Sequence, residues 1–160
     1  MNMREEKSKL RRNVLEQLKI QTVQERNRKS SLIAQRIIES RWFSNARTVM
    51  LYAAFQYEVD TREIGECAFR SNKKVVLPLL NRVKKELIPC IITDFESDTI
   101  VCDYGFREPR PHLRDNCDPR TIDLVVVPGI AFDRCNNRLG RGLACYDTFL
   151  SSLDPAVPRI

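Results

Sequence analysis

Apolar residues change their spacing several times along the chain, and each change marks an element. Leu10, Val14 and Leu18 recur at i, i+4 and i+8 with Leu15 alongside, which predicts an amphipathic helix over residues 4–20. Thr22 followed by Glu25 has capping-box spacing and starts a second helix. Its expected buried face is Leu32, Ile33, Ile37 and Ile38, and it fades near Ser40. Thr48 to Ala53 reads as a buried strand. Asp60 or Thr61 then caps a helix reaching about Ser71. Lys74 to Leu77 is the next strand, with Pro78 as its stop. Leu87 to Thr93 follows, and Pro89 marks it as an edge or bulge. Pro109, Pro111 and Pro119 imply irregular structure over residues 94–120. Asp123 to Val127 is a continuous apolar run of the kind buried on both faces. A loop from Pro128 to Gly142 leads into a helix near Leu143.

Strands alternating with helices predict an α/β domain with a mostly parallel sheet. At 160 residues the chain is one domain. Its 42% hydrophobic and 30% charged residues are ordinary for a globular protein. It has no run of 18 apolar residues, so no membrane-spanning helix is expected. The start, MNMREEKSKLRR, has no apolar signal core, which points to the cytoplasm.

Six cysteines (Cys67, Cys90, Cys102, Cys117, Cys135, Cys145) include no C-x-x-C pair, and His112 is the sole histidine. That pattern argues against structural zinc and for free thiols. The net charge of +6 is concentrated. Residues 1–41 carry eleven Lys or Arg against five Glu, while the remainder carries sixteen of each sign. Glu is interleaved with the cations and no aromatic residue precedes Trp42. The segment therefore reads as a solvated helix face rather than a nucleic-acid or membrane surface.

Several chemistries are missing. There is no P-loop and no G-x-S-x-G elbow. A Ser-His-Asp or Cys-His enzyme does not fit one off-pattern histidine. What is present lies in Pro128–Asp133 and Arg138–Asp147. Gly140 and Gly142 let the backbone approach an anion, Arg138 and Arg141 add fixed positive charge, and a helix dipole follows. Asp147, just inside that helix, suits a hard cation shared with phosphates. The unit follows the carboxyl end of a strand, where open α/β sheets bind ligands. Read alone, it is a phosphate-site candidate or an exposed Gly/Arg loop with a capping turn.

Arg138-Leu-Gly-Arg-Gly-x-x-x-Tyr-Asp147, preceded by Gly129-x-Ala-Phe-Asp133, resembles the signature of the 5-formyltetrahydrofolate cyclo-ligase family. Lys7-x-x-Leu-Arg11, Tyr52 with Glu58-Val-Asp-Thr61, and Glu108-Pro-Arg-Pro111 agree in order. The resemblance covers nearly the whole chain. It implies a three-layer α/β fold, a mostly parallel sheet flanked by helices, with two N-terminal helices. It implies ATP- and Mg²⁺-dependent cyclisation of 5-formyltetrahydrofolate to 5,10-methenyltetrahydrofolate, in a monomer. By that resemblance Lys7, Ser8, Lys9, Leu10 and Arg11 join Arg138, Leu139, Gly140, Arg141, Gly142, Leu143, Ala144, Cys145 and Tyr146 around ATP. Arg141 is the expected catalytic residue. Ala53, Phe55, Glu58 and Tyr146 are expected on reduced folate, and Asp147 on Mg²⁺.

Two departures stand out. The family usually has Gly-Tyr-Tyr-Asp where this chain has Ala144-Cys145-Tyr146-Asp147. If that glycine position needs positive φ, Ala144 costs roughly 1–2 kcal/mol. Pro158-Arg-Ile160 falls where family members begin another strand, so the family's last strand and helix are expected to be missing from residues 1–160. The alternative to an active enzyme is a relative that binds ATP or folate without turnover.

Overall fold

The structure, a computed structural model, describes residues 2–160. Two helices open the chain, α1 (Met3–Lys19) and α2 (Val23–Ile38). Asn2 caps α1 in a reciprocal box with Glu5. Thr22 caps α2 by accepting from the Glu25 N–H at 3.1 Å. Glu25 turns instead to Lys29, 2.8 Å away, so only half of the expected box is made.

The buried stripe of α2 is Ser30, Ala34 and Ile37. Leu32 and Ile33, expected inside, are 46% and 39% exposed. The reason is close packing: Ala34 and Ile37 meet Ile64 and Ala68 of α4 (Arg62–Arg70), and Ser30 accepts from the Asp60 N–H at 3.1 Å. α1 buries no residue at all, so its apolar stripe is only half covered. A short helix, α3 (Arg41–Asn45), is capped by Ser40 where the pattern showed only a fade.

The sheet has the order β3-β2-β1-β6, with β1 (Thr48–Met50), β2 (Lys74–Asn81), β3 (Glu86–Ile92) and β6 (Leu124–Val125). β1 is parallel to β2 and to β6, and β3 is the antiparallel edge. Pro78 does not stop β2. It stands opposite Pro89, between the Leu77–Cys90 and Leu79–Ile88 pairs. The alternation of an antiparallel ladder turns both imino nitrogens away from the partner strand, so no β2–β3 hydrogen bond is lost. Asn116 bonds the Ile91 N–H and C=O on the outer side of β3, at 2.8 and 2.9 Å. On the far side of β6 the Val125 N–H donates to the Pro158 carbonyl, and the Ile160 N–H donates back to Val125. Residues 158–160 thus run parallel to β6, and the apolar run 123–127 lies inside the sheet, as its composition requires.

Strand alternation divides the core between two faces. Val49, Leu51, Val75, Leu77, Leu124 and Val126 meet Ala34, Ile37, Ile64 and Ala68 of α2 and α4. Met50, Val76, Val125 and Val127 meet Phe149 and Leu153, at the end of α5 (Cys145–Ser152). The result is the expected three-layer α/β architecture.

Residues 94–120 hold a hairpin, β4 (Thr99–Val101) and β5 (Arg107–Pro109), and two 3-10 turns at prolines. The stretch read as a loop before α5 contains a second hairpin, β7 (Ala131–Phe132) and β8 (Arg138–Leu139). The cysteines are all free. Burial pushes the Cys90 thiol up to about 11, which makes it an inert core group. Among the described residues no helix is long and apolar enough to cross a membrane.

Candidate active site

Because β1 and β6 run parallel, the segments that follow them leave the same edge of the sheet. After β1, the Tyr52 hydroxyl donates to the Val59 carbonyl at 2.9 Å, and the Thr61 hydroxyl donates to the Tyr52 carbonyl at 2.5 Å. These bonds fold residues 52–61 into a fixed bay at the start of α4. Thr61, engaged in this way, does not cap the helix with its side chain; Asp60 accepts from the Arg62 N–H at 2.9 Å. Inside the bay Glu58 accepts from the Phe55 N–H at 3.0 Å. Ala53 is half-buried at the bay's entry.

After β6 comes the β7–β8 hairpin. Asp133 accepts from the Cys135 N–H, the Asn137 N–H and the Asn137 side-chain amide, each at 2.8 Å. The Asn137 bonds hold its carboxyl below the usual carboxylate range. The hairpin delivers Arg138, which donates to the Pro128 carbonyl at 3.1 Å and pairs with Asp147. Arg138 also lies over the Tyr146 ring, 5.7 Å from its centroid. Leu139 accepts from the Ile130 N–H across the hairpin, and Leu143 is exposed.

Gly140 and Gly142 leave room that side chains would fill. A Cβ at Gly140 would lie 2.6 Å from an Arg138 nitrogen. Gly142 has φ +97°, which side chains rarely adopt. Ala144 also sits in the left-handed region, at φ 57° and ψ 3°, immediately before α5. The condition attached to this alanine is therefore met, at roughly 1–2 kcal/mol. Cys145 is buried, with its thiol on the Leu143 carbonyl, and offers the cleft no group in place of a phenol.

Long-range contacts join these pieces. Arg141 donates to Glu58 at 3.0 Å, and its guanidinium lies 4.8 Å from the Phe55 ring centroid. Arg11 of α1 donates to the Gly140 carbonyl at 2.7 Å and lies over Gly142. Lys7 and Arg11 line a cleft of about 330 Å³ along α1, together with Asn2, Met3 and Arg4. Ser8, Lys9 and Leu10 are exposed and do not line it. Arg4 was missed by sequence reading, although its spacing to Lys7 and Arg11 puts the three on one helix face. The Tyr146 hydroxyl is buried without a hydrogen-bond partner among the described residues. Burial, with Glu58 nearby, holds it protonated well above the usual phenol range.

A second wall was also missed. Phe106 meets Phe55 edge-on at 5.6 Å, and Tyr104 stacks on Phe106 at 6.4 Å. Arg82, just past β2, lies 5.1 Å from the Tyr104 ring centroid and 3.3 Å from Glu108. Phe106 and Glu108 alternate along one face, a period-two signal hidden among three prolines.

The residues fit the groups that the signature implies. Two glycines and three guanidinium groups surround a loop open to phosphate, and a buried phenol lacks a partner. Asp147 is 68% exposed, with one oxygen on Arg138. No cluster of three or more His, Cys, Asp or Glu able to hold a metal occurs among the described residues. A magnesium ion here would rely on one carboxylate with phosphates and water, which is its common mode.

Comparison with known proteins identifies the family and the fold. A sequence model of the 5-formyltetrahydrofolate cyclo-ligase family matches residues 3–158. The chain is 27% identical over 145 residues to the 5-formyltetrahydrofolate cyclo-ligase of Mus musculus, covering 88% of this chain and 71% of that protein. It is 27% identical over 154 residues to the probable 5-formyltetrahydrofolate cyclo-ligase of Caenorhabditis elegans, covering 94% and 75%. The solved structure of Aquifex aeolicus 5,10-methenyltetrahydrofolate synthetase superposes with a TM-score of 0.78 at 25% identity, over 96% of this chain and 80% of that one. The chain belongs to the 5-formyltetrahydrofolate cyclo-ligase family.

Proposed function

We propose that this chain converts 5-formyltetrahydrofolate to 5,10-methenyltetrahydrofolate, using ATP with Mg²⁺ and releasing ADP and phosphate. The observation that carries the reading is the Arg141–Glu58 contact at 3.0 Å. It brings the glycine-arginine loop after β6 against the bay after β1. A phosphate donor and an organic acceptor would thus share one cleft.

A formamide oxygen is a poor leaving group. Attack of that oxygen on the γ-phosphorus breaks the bond to the β–γ bridging oxygen, and ADP departs with the electron pair. N10 then attacks the formyl carbon. The carbon–oxygen bond breaks, phosphate leaves with its electrons, and N10 loses its proton. Such chemistry asks for positioning and charge neutralisation more than for a nucleophilic side chain.

Arg141 serves as the catalytic cation, transferring from Glu58 to the phosphoryl oxygens as substrate enters. Glu58 then accepts from N–H groups of the pterin, beside Ala53 and Phe55. Lys7, Arg11 and Arg138 neutralise the triphosphate, and the backbone of Gly140–Gly142 approaches it closely. Residues 8–10, with Leu139, Leu143, Ala144 and Cys145, supply the surrounding backbone and packing. The protonated Tyr146 hydroxyl donates to ligand at its buried position. Asp147 would hold Mg²⁺, which neutralises charge on phosphate oxygens when bound.

The second reading, binding without turnover, draws on left-handed Ala144 and on buried Cys145. Stoichiometry separates the two. The enzyme reading expects one ADP and one phosphate per methenyl product, with turnover lost in Arg141→Ala. ATP and folate binding by calorimetry with no product would favour the second reading. Product formed equally well by Arg141→Ala would overturn the site.

A further inference from the structure

β2 runs on from Leu77 to Asn81 after its last pairing with β1, roughly 16 Å of extended chain. Together with β3 it carries a hairpin out past the bay, and the hairpin turn is basic: Arg82, Lys84 and Lys85 against Glu86. Arg82 is held in an unusual way. Its guanidinium faces the Tyr104 ring and reaches Glu108 at 3.3 and 3.5 Å, although Arg82 itself is 40% exposed. The Glu108 side chain is only 9% exposed, and Arg82 is its sole ion-pair partner among the described residues. A buried carboxylate is costly, and as a bare surface ion pair this one would contribute little. Both bonds come from one guanidinium nitrogen, so the contact steadies an Arg82 that stays partly open to solvent. A guanidinium fork matches a carboxylate. Lys84 and Lys85 are exposed and make no ion pair among the described residues. The rings of Phe55, Phe106 and Tyr104 join this corner continuously to Arg141.

We infer that Arg82, positioned by Glu108, binds the carboxylate tail of the substrate, and that Lys84 and Lys85 extend this subsite to further carboxylates. The inference rests on the folate reading above. A reduced folate carries a glutamyl group at the end opposite its reacting ring. With the ring in the Arg141 bay, the tail leaves along the aromatic wall toward Arg82. The corner is then a specificity subsite, and Glu108 is a positioning residue rather than a catalytic one.

The test is calorimetric binding of three ligands to the whole chain: 5-formyltetrahydropteroate, which lacks the tail, 5-formyltetrahydrofolate, and its γ-linked triglutamate. The expected preference of the unmodified chain for the monoglutamate over the tail-less compound is about tenfold or more, the range of a lost hydrogen bond to a charged group. Arg82→Gln abolishes that preference, Glu108→Gln reduces it, and Lys84→Gln with Lys85→Gln removes the further gain from the triglutamate. Because the ratio of two ligands is measured on one protein, general loss of folded protein does not imitate the result. Equal affinity for the first two ligands, or a preference that survives Arg82→Gln, overturns the inference alone. Failure to bind any of the three overturns the folate reading and this inference together.

Discussion

The two edges of the parallel sheet carry similar residues in opposite roles. At the amino-terminal edge lies a cavity of about 670 Å³ lined by Arg47, Lys73, Lys74 and Asp123, with serines and asparagines. It is larger than the cleft beside α1. Asp123 accepts from the Arg47 and Thr48 N–H groups at 2.8 and 2.9 Å. Lys73 donates to the Ser44 and Ala46 carbonyls at 3.1 and 2.6 Å. These charges complete the backbone of α3 and β1. At the carboxyl-terminal edge Arg138 and Arg141 are paired with carboxylates that lie nine and 83 residues away. Those pairs join loops; Arg138 is only 15% exposed and also holds the Pro128 carbonyl, so Arg141 is the guanidinium more open to a ligand. The larger cavity belongs to the edge whose charges complete the backbone, and the proposed site lies at the other.

Substitutions at the two edges should therefore fail differently. Arg141→Ala should lower turnover by about 10²–10³-fold, the range for removing one preorganised donor to developing charge. Its melting temperature should stay within about 2 °C, because Arg141 itself is partly exposed and the largely buried Glu58 keeps its bond from the Phe55 N–H. An equal loss of stability would erase the contrast. Asp123→Ala should do the reverse, costing about 1–3 kcal/mol by removing the acceptor of two N–H groups. The melting temperature should fall by roughly 2–10 °C while the folded protein keeps its turnover rate.

Ala144→Gly sharpens the comparison at smaller scale. Relief of the left-handed alanine should stabilise the protein by about 1 kcal/mol, a rise of about 2–4 °C on thermal melting. No rise would remove strain from the description of this loop.

The smallest effect concerns acid. Asp98 accepts from the Thr93 N–H, the Thr93 hydroxyl and the Asp94 N–H at 2.6, 2.9 and 3.2 Å, and the Thr93 backbone bond above all lowers its carboxyl from the ordinary 3.8. A lowered value means stability that is present above pH 3.8 and lost as pH falls through the folded value. Asp98→Asn should thus be less stable at neutral pH, with the gap narrowing below about pH 4. A constant gap down to pH 2 would contradict the hydrogen-bond account.

Much of this was legible in sequence because it rests on local physics. The α1 and α2 periodicities, the Thr22 cap and the apolar run 123–127 each carry their own signal. The glycine-arginine motif likewise marked a loop of unusual backbone, and Glu58 and Arg141, both legible in their motifs, meet at 3.0 Å. What escaped depends on partners distant in sequence. Pro78 breaks a strand only if its missing N–H faces a ladder, and pairing with Pro89 decides that. Leu32 and Ile33 are as apolar as Ile37, but Ile64 and Ala68 of α4 pack with Ala34 and Ile37 instead. Arg82 and Glu108 stand 26 residues apart, so neither looks like a site until β5 packs on β2.

The most direct test follows near-ultraviolet absorbance of the methenyl product with protein, Mg²⁺ and 5-formyltetrahydrofolate, with ATP added last. A rise that begins only on addition of ATP, and that Asp123→Ala retains but Arg141→Ala loses, is the predicted result. A flat trace from folded protein that binds both ATP and folate would contradict the claim that this edge carries out the cyclisation.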